Sequence, residues 1–378
     1  MQKEHILIIG AGPSGISAAI TLLKAGHNPL LVDKAAFPRE KLCAGLFTAK
    51  AQDALRQILG NEKYEECLNA SLISRQKTLT FWRKSKHIVT CPLINDILLV
   101  DRPRFDAWLV DYYKSLGGRI HEGTSLHTIS SVDSTATIST LGLSSQIKYD
   151  YLIAADGANS RVRHLMTPKE KRKKITSLEV NLPSSQYQAD GINIYFEIVP
   201  KTYAWVFDKS KTTCIGLSQM PGANLDLKDS LNSFLQMLDI APLSPEQIKG
   251  AIIPCDKKPK TKLSSNVFLI GDAAGTIDPL TLEGIYFALQ SGQDIATHLL
   301  SGCRDCTPKL SFTFGHGYFV QNHLMNHTAF MNRFYQHAPN YARFIARFYN
   351  DFIDHKPQIS AAKMAIRIIS KIIKRKLL

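Results

Sequence analysis

The sequence lacks an uninterrupted run of about 18 apolar residues, the length that a helix needs to span a bilayer. Its first residues pass directly from "MQKEH" into the strand-like "ILIIG", without the apolar segment of a secretory signal. No repeat of 20 to 50 residues and no low-complexity tract is present, which excludes solenoid folds. We therefore expect a globular, cytoplasmic protein.

Cysteine is also too sparse and irregular to form a disulfide framework. The chain has seven cysteines in 378 residues, which is typical of a reducing compartment. Cys303 and Cys306 form a single CxxC, "CRDC", without the second pair that a four-ligand zinc site needs. We therefore expect no metal site.

The net charge of +14 is concentrated in two segments. Residues 169–174, "KEKRKK", carry a net +4, and residues 356–378 carry a net +7. Local patches argue against a broad nucleic-acid surface and indicate either solvated surface or contact with an anionic membrane or ligand. In the C-terminal patch, isoleucines and basic residues fall on different helical faces, which is typical of an interfacial helix or of a helix docked on its own domain. These residues are Ile366, Ile369 and Ile373, and Lys363, Arg367, Lys371 and Lys374.

The N-terminal segment is a βαβ unit. "HILIIG" predicts a buried strand, "ISAAITLLKAG" a helix and "NPLLVD" a second buried strand. Gly10, Gly12 and Gly15 form GxGxxG at the start of that helix, and Asp33 ends the second strand. Such glycines let a pyrophosphate approach the helix N-terminus, and the acidic residue accepts hydrogen bonds from a ribose. The unit predicts dinucleotide binding.

The rest of the chain predicts an α/β protein with an inserted sheet. Short β-rich runs between Gly191 and Gln219 are typical of antiparallel hairpins, and "NVFLIGDAAG" then returns to a buried strand. We expect a Rossmann-like domain at 1–165 and 260–305, an antiparallel substrate domain at 166–259 and a helical segment at 306–378. Residues 66–100 could contribute to the substrate domain.

Two further motifs resemble those of FAD-dependent proteins of the aromatic-hydroxylase-like superfamily, which includes the geranylgeranyl reductases. They are "AADGANSRVR" at 154–163 and "FLIGDAAGTIDPLTLEGI" at 268–285. The resemblance implies that Asp272 holds the ribityl and pyrophosphate region, that 279–285 lies beside the isoalloxazine ring and that Arg102 contacts FAD. On the residues alone, Asp272 could instead cap a turn and Arg102 could be a surface charge. The residues expected at the cofactor are Gly10, Gly12, Pro13, Ser14, Gly15, Asp33, Lys34, Lys41, Ala44, Gly45, Arg102, Asp156, Gly157, Gly271, Asp272, Pro279, Gly284 and Ile285.

Two details resemble the geranylgeranyl reductase branch. "PREKLCAG" is similar to its lysine-x-cysteine-x-glycine segment, and "YAWVFDKS" to its aromatic motif Y-x-W-x-F-P-K, with Asp208 in place of proline. Tyr203, Trp205 and Phe207 alternate along one strand face, which suits either a wall for an apolar ligand or an ordinary core. Cys43 is the candidate catalytic residue, as a proton donor or as a group that positions the alkene. Simple packing is the alternative.

The resemblance implies an FAD-dependent oxidoreductase that reduces carbon–carbon double bonds of an isoprenoid or other apolar substrate. A monooxygenase that acts through a flavin hydroperoxide is the alternative, and a flavin-bearing module that binds a membrane surface is the third reading. A second GxGxxG is absent, so NAD(P)H, a candidate electron donor, would bind without its own Rossmann domain. CxxxxC near the first helix is absent, which argues against disulfide reductases, and G-x-W-x-I-P is absent, which argues against halogenases.

Overall fold

The computed structural model describes residues 5–223, 225–256, 258–303, 306–312 and 314. Within these ranges the helices are α1 Pro13–Lys24, α2 Ala49–Leu59, α3 Asn61–Ser71, α4 Arg102–Ser115, α5 Arg161–Met166, α6 Leu227–Met237, α7 Gly271–Ala274 and α8 Ile285–Leu300. The strands are β1 Ile6–Ile9, β2 Leu30–Val32, β3 Leu46–Phe47, β4 Leu72–Arg83, β5 Lys86–Val100, β6 Arg119–His121, β7 Thr124–Ser130, β8 Thr135–Thr140, β9 Leu143–Lys148, β10 Tyr151–Ala154, β11 Lys174–Pro183, β12 Ile192–Phe196, β13 Tyr203–Asp208, β14 Thr212–Gln219, β15 Lys249–Pro254 and β16 Val267–Leu269.

A five-stranded parallel sheet, in the order β16-β10-β1-β2-β6, forms the centre of the first domain. Its central strands are buried on both faces, as their continuous apolar runs predict. Helices α1, α2, α4 and α8 cover one face, and the three-stranded sheet β7-β8-β9 packs against the other through Ala136 and Ile138. The carboxyl ends of β1 and β2 therefore open beside the N-terminus of α1, where nucleotides bind in this class of fold.

An eight-stranded sheet, in the order β15-β11-β14-β13-β12-β4-β5-β3, forms the second domain. Strands β4 and β5 confirm that residues 66–100 contribute to this sheet. Strand β3, at Leu46–Phe47, lies before that range, so the sheet includes more of the N-terminal half than predicted. All pairings are antiparallel except that of β12 with β4. One face packs on α6 through Val206 and Ile215. The other face carries a second apolar cluster, which includes Trp205 and Phe207.

The predicted α/β class, with a Rossmann-like domain and an inserted antiparallel sheet, is confirmed. Residues 306–312 and 314 form no helix, and Phe312 and Phe314 pack on Phe287 of α8. Most of the predicted helical segment 306–378, including the basic pattern near the C-terminus, lies outside the described residues. Among the helices that are described, none is both long and apolar enough to cross a bilayer. Cys303 and Cys306 are joined by a disulfide.

Candidate cofactor and substrate site

The glycine turn between β1 and α1 leaves one helix N-terminus open. A Cβ atom on Gly10, whose φ is +105°, would lie 2.3 Å from the Ala155 carbonyl oxygen, and one on Gly15 would lie 1.8 Å from the Gly10 oxygen. These two positions therefore require glycine. Gly12 differs, because the nearest atom to a Cβ there is Arg39 Nη2 at 3.6 Å, and no side chain caps α1. The free N–H groups and the space at Gly12 suit a pyrophosphate.

Asp33 lies at the end of β2 and faces this turn. Its Oδ2 accepts a hydrogen bond from the Ala11 N–H at 2.7 Å, and its Oδ1 accepts one from the Ala35 N–H at 2.9 Å. Each carboxylate oxygen retains a second acceptor position, which suits a ribose hydroxyl. The neighbouring Lys34 is exposed and forms no hydrogen bond or ion pair with the described residues.

A buried carboxylate gathers two arginines beside the glycine turn. Arg102, which is 5% exposed, donates two hydrogen bonds of 3.0 Å to Asp106, and Arg39 Nη2 lies 3.3 Å from Asp106 Oδ2. Burial lowers the pKa of the Arg102 guanidinium, but the Asp106 carboxylate outweighs burial and the pKa is raised. Arg102 therefore stays charged, and Arg39 lies beside Gly12, where a pyrophosphate would be anionic. The sequence alone does not indicate a role for Arg39, because "FPRE" matches no nucleotide-binding motif.

The segment that carries Cys43 passes between these arginines and the second sheet. Cys43 is half-buried, and its thiol lies close enough to the Arg102 guanidinium to contribute to the raised pKa of that group. Ala44 packs instead against the cluster that contains Trp205 and Phe207. Gly45 fixes the segment to β5, because its φ is +82° and a Cβ there would lie 2.2 Å from the Val100 oxygen. Cys43 therefore lies on the arginine side of a short connection that also contacts the apolar sheet face.

Asp272 follows the returning strand β16, on the short helix α7. It is half-buried, and burial raises the pKa of its carboxyl group, although the positive charges of Lys41, Arg102 and Arg172 oppose this shift. A Cβ on Gly284, which precedes α8, would lie 3.7 Å from Asp272 Oδ1. Four predicted residues therefore meet at this position. Lys41 and Arg102 act on the Asp272 carboxyl group through their charge, and Gly284 lies beside it.

The segment 169–174 contributes a residue to this site that its composition does not reveal. The Arg172 side chain is 9% exposed, and its Nη2 donates to the Asp272 carbonyl oxygen at 2.9 Å and to Asp256 Oδ2 at 2.6 Å. Arg163 Nη1 donates to the same Asp256 oxygen at 3.1 Å and to the Ala273 carbonyl oxygen at 2.9 Å. Arg172 is thus neither a solvated charge nor a membrane contact. It helps to hold the backbone that carries Asp272.

Asp156 and Gly157 lie at the end of β10, where the second motif begins. Asp156 Oδ2 accepts a hydrogen bond from the Val162 N–H at 3.0 Å. Its Oδ1 is buried without a hydrogen-bond partner among the described residues, and burial raises the pKa of the carboxyl group. A buried polar atom of this kind suits a bound ligand. Gly157 has φ +82°, and the space around it is open.

The loop 278–284 between α7 and α8 is held from three sides. Asp278 Oδ1 accepts hydrogen bonds from the N–H groups of Leu280 and Thr281 at 2.9 and 2.8 Å. Glu283 forms an ion pair of 2.6 Å with the buried Lys50 of α2. From the second sheet, the Tyr203 hydroxyl donates to the Thr281 carbonyl oxygen. The loop, which includes Pro279 and leads to Ile285, is therefore fixed to both domains.

Tyr203, Trp205 and Phe207 share one face of β13, as their alternation predicts. The Trp205 ring centroid lies 6.2 Å from that of Tyr203 and 6.4 Å from that of Phe207. Trp205 and Phe207 are buried in the cluster that also contains Phe81 and Ile194. The face is apolar and touches the loop 278–284, so it has the character of a wall for an apolar ligand.

These features together fit FAD. The open N-terminus of α1, the unpartnered Asp156 oxygen and the charged groups around Asp272 lie in the parts of a Rossmann-like fold that bind a dinucleotide. The family model described as "FAD binding domain" matches residues 3–206, more than half of the chain. The chain therefore belongs to this family of FAD-binding proteins.

The chain is also similar to individual proteins, among them two relatives and two solved structures. An uncharacterized protein of Methanosarcina barkeri is 31% identical over 80% of this chain and 75% of its own length. The geranylgeranyl diphosphate reductase of Rhodobacter capsulatus is 28% identical over 77% and 74%. A geranylgeranyl bacteriochlorophyll reductase-like structure from Thermoplasma acidophilum has a TM-score of 0.68 at 17% identity, covering 96% and 93% of the two chains.

The p-nitrophenol 4-monooxygenase of Pseudomonas putida also has a TM-score of 0.68, at 14% identity, covering 94% of this chain and 99% of its own. Both structural likenesses concern the fold alone. The predicted resemblance to the geranylgeranyl reductases is confirmed, because the FAD-binding family model and relatives of that name match this chain.

Proposed function

We propose that this FAD-dependent oxidoreductase reduces carbon–carbon double bonds of an isoprenoid or another apolar substrate. The observation that carries the proposal is the apolar aromatic face of β13, which Tyr203 joins to the loop 278–284. A substrate on this face would lie between the sheet and that loop. The name of the Rhodobacter relative, a geranylgeranyl diphosphate reductase, supports a polyprenyl chain as the substrate class.

Bound FAD, once reduced, supplies the hydride for such a reaction. The chain itself contributes binding, orientation and exclusion of water. Asp33, the N-terminus of α1 and the pair Arg39 and Arg102 would hold the adenosine and pyrophosphate, while Asp272 would hold the ribityl region. The buried face around Trp205 would exclude water, and Cys43 would contact the substrate or hold a proton. NAD(P)H is the proposed electron donor.

A monooxygenase is the second candidate, because the chain shares its fold with p-nitrophenol 4-monooxygenase. Fold alone does not separate the two reactions, because function depends on the site. The two reactions differ in whether reoxidation of the flavin requires oxygen. The holoenzyme is reduced anaerobically with NADPH or dithionite and mixed with geranylgeranyl diphosphate or geranylgeraniol.

Reoxidation of the flavin without oxygen, only when a polyprenyl substrate is present, is the result expected of a reductase. Reoxidation that requires oxygen, coupled to a hydroxylated product, would overturn the proposal in favour of the monooxygenase. A saturated C20 alcohol is the control, because it fills the same space and has no double bond to reduce.

A further inference from the structure

The aromatic face of β13 continues across the sheet to a buried acid. In the strand register, Phe81 lies opposite Ile194, Ile194 opposite Trp205, Trp205 opposite Gly216, and Gly216 opposite Glu179. Residues that are opposite one another in a sheet point to the same face. Glu179 of β11 therefore shares the face that carries the proposed substrate wall.

Gly216 brings the two ends of this row into contact. A Cβ atom there would lie 2.3 Å from Cζ2 of Trp205, so the indole ring covers the position where a side chain would otherwise separate β13 from β11. The Cys214 thiol, on the same strand, lies close enough to the Trp205 indole and the Glu179 carboxyl group for both to affect its pKa. The apolar wall and the acid are thus parts of one continuous surface.

Glu179 is 4% exposed, although it is a carboxylic acid. Its Oε1 accepts a hydrogen bond of 3.1 Å from Asn181, and Lys209 and Lys249 are the charged groups that face it. Burial raises the pKa of the carboxyl group, and these neighbours only reduce that shift. Burial of a carboxyl group lowers the stability of the fold unless the group forms hydrogen bonds, either within the protein or to a ligand.

A second polar group on the same face is unsatisfied. Ser177 lies two residues before Glu179 on β11 and is also 4% exposed. Its Oγ is buried and has no hydrogen-bond partner among the described residues. A buried hydroxyl without a partner is uncommon, and a ligand is one of the groups that can satisfy it.

We propose that Ser177 and Glu179 form a binding site for a hydroxyl group of an apolar substrate. A hydroxyl both donates and accepts, so it can pair with the Ser177 hydroxyl and the Glu179 carboxyl group in either protonation state. The apolar part of the molecule would then lie along Trp205 and Phe207. A diphosphate is disfavoured at this position, because Glu179 would add a like charge. The inference rests on the proposed function, since it assigns one end of the same substrate face.

The test measures ligand binding to the FAD-loaded protein through the change in flavin absorbance, without turnover. The ligands are geranylgeraniol, its methyl ether and geranylgeranyl diphosphate. Ser177→Ala is expected to weaken binding of the alcohol by about threefold to tenfold, and Glu179→Leu by about tenfold or more. Glu179→Gln, which keeps a hydrogen-bonding group, should restore most of the loss. The ether cannot donate a hydrogen bond, so its binding should change by less than about twofold in Glu179→Leu and Glu179→Gln.

Thr176→Ala is the matched control, because Thr176 is exposed and adjacent to Ser177 on the opposite strand face. Ser177→Ala should leave FAD content and thermal stability unchanged, because it removes a hydroxyl that has no partner in the described protein. This variant therefore remains informative if Glu179→Leu folds poorly. Diphosphate binding should be unchanged or tighter in Glu179→Gln.

Two results would overturn the site. Alcohol binding within twofold of the parent in both Ser177→Ala and Glu179→Leu is one, and equal weakening of alcohol and ether by Glu179→Leu is the other. Failure of the proposed reductase activity is a separate outcome. In that case the alcohol would still bind through Ser177 and Glu179, but no double bond would be reduced.

Discussion

The hydroxyl group of Tyr203 donates a hydrogen bond to the backbone carbonyl oxygen of Thr281, 78 residues further along the chain. Tyr203 belongs to the antiparallel sheet, and Thr281 belongs to the loop that the FAD domain places before α8. A single side chain thereby connects the proposed substrate wall to the loop expected beside the flavin. The Lys50–Glu283 ion pair holds the same loop to α2 of the FAD domain.

Tyr203→Phe removes this connection and keeps the ring. Loss of one partly buried hydrogen bond should lower the free energy of unfolding of the holoenzyme by about 1 kcal/mol. Because the loop is less firmly held, turnover should fall more than FAD content does. Urea denaturation and steady-state kinetics measure the two effects. Tyr195→Phe, on the face that packs against α6, is the control, and an equal loss of turnover in that variant would remove the special role of Tyr203.

Arg172→Gln should weaken FAD binding, because Arg172 fixes the carbonyl of Asp272 and also contributes positive charge to its carboxyl group. We expect the dissociation constant for FAD to rise about tenfold or more, measured by flavin fluorescence during reconstitution of the apoprotein. Lys171→Gln removes the same charge from an exposed neighbour and should have little effect. Equal dissociation constants for the two variants would show that Arg172 affects FAD binding only through its positive charge, as an exposed lysine does.

Acid should weaken the fold through Glu170. Hydrogen bonds from Arg163 lower the pKa of Glu170 from 4.5 to about 2. Because the folded pKa is depressed, its stabilisation is complete above about pH 4.5 and is lost as the pH falls toward 2. After allowance for solvent screening, the loss is about 1 to 2 kcal/mol. Denaturation curves across this range should be less pH-dependent in Glu170→Gln, and an unchanged pH profile would contradict the assignment.

Cys43→Ser tests whether the thiol acts in the reaction or only packs. Cys43 lies close to Arg102, while the adjacent Ala44 contacts the aromatic cluster, so a role at the ring predicts a turnover loss with normal FAD content. We expect at least about a tenfold decrease in turnover, in the range of a lost acid–base group. Cys255→Ser, at another half-buried cysteine, should retain turnover. Full activity of Cys43→Ser would show that the Cys43 side chain only packs and has no role in the reaction.

The parts of the fold that depend on local pattern could be predicted from the sequence. The βαβ unit, the turn at Gly10 and the shared face of Tyr203 and Trp205 follow from residue spacing alone. The strand order could not be predicted, because β3, β4 and β5 join a sheet whose other strands lie far away in sequence. Irregular register between β4 and β5 also obscures their alternation.

The same limit applies to the site. Arg39, Arg172 and Asp256 act through contacts with residues that are distant in sequence, and spacing carries no signal for such contacts. Arg172 lies in a basic run that resembles ordinary surface. Glu179 was also missed, because one acid in a strand pattern gives no sign of its burial. Only the register that places it opposite Gly216 connects it to Trp205.

The most direct test of the account is a single turnover of the reduced holoenzyme with a polyprenyl substrate in the absence of oxygen, with the product analysed by mass spectrometry. We predict that the product is heavier by two hydrogen atoms for each flavin reoxidised, and that reduction of the flavin in deuterated water labels it with deuterium. A product that forms only after oxygen is admitted, and that is heavier by one oxygen atom, would contradict the account.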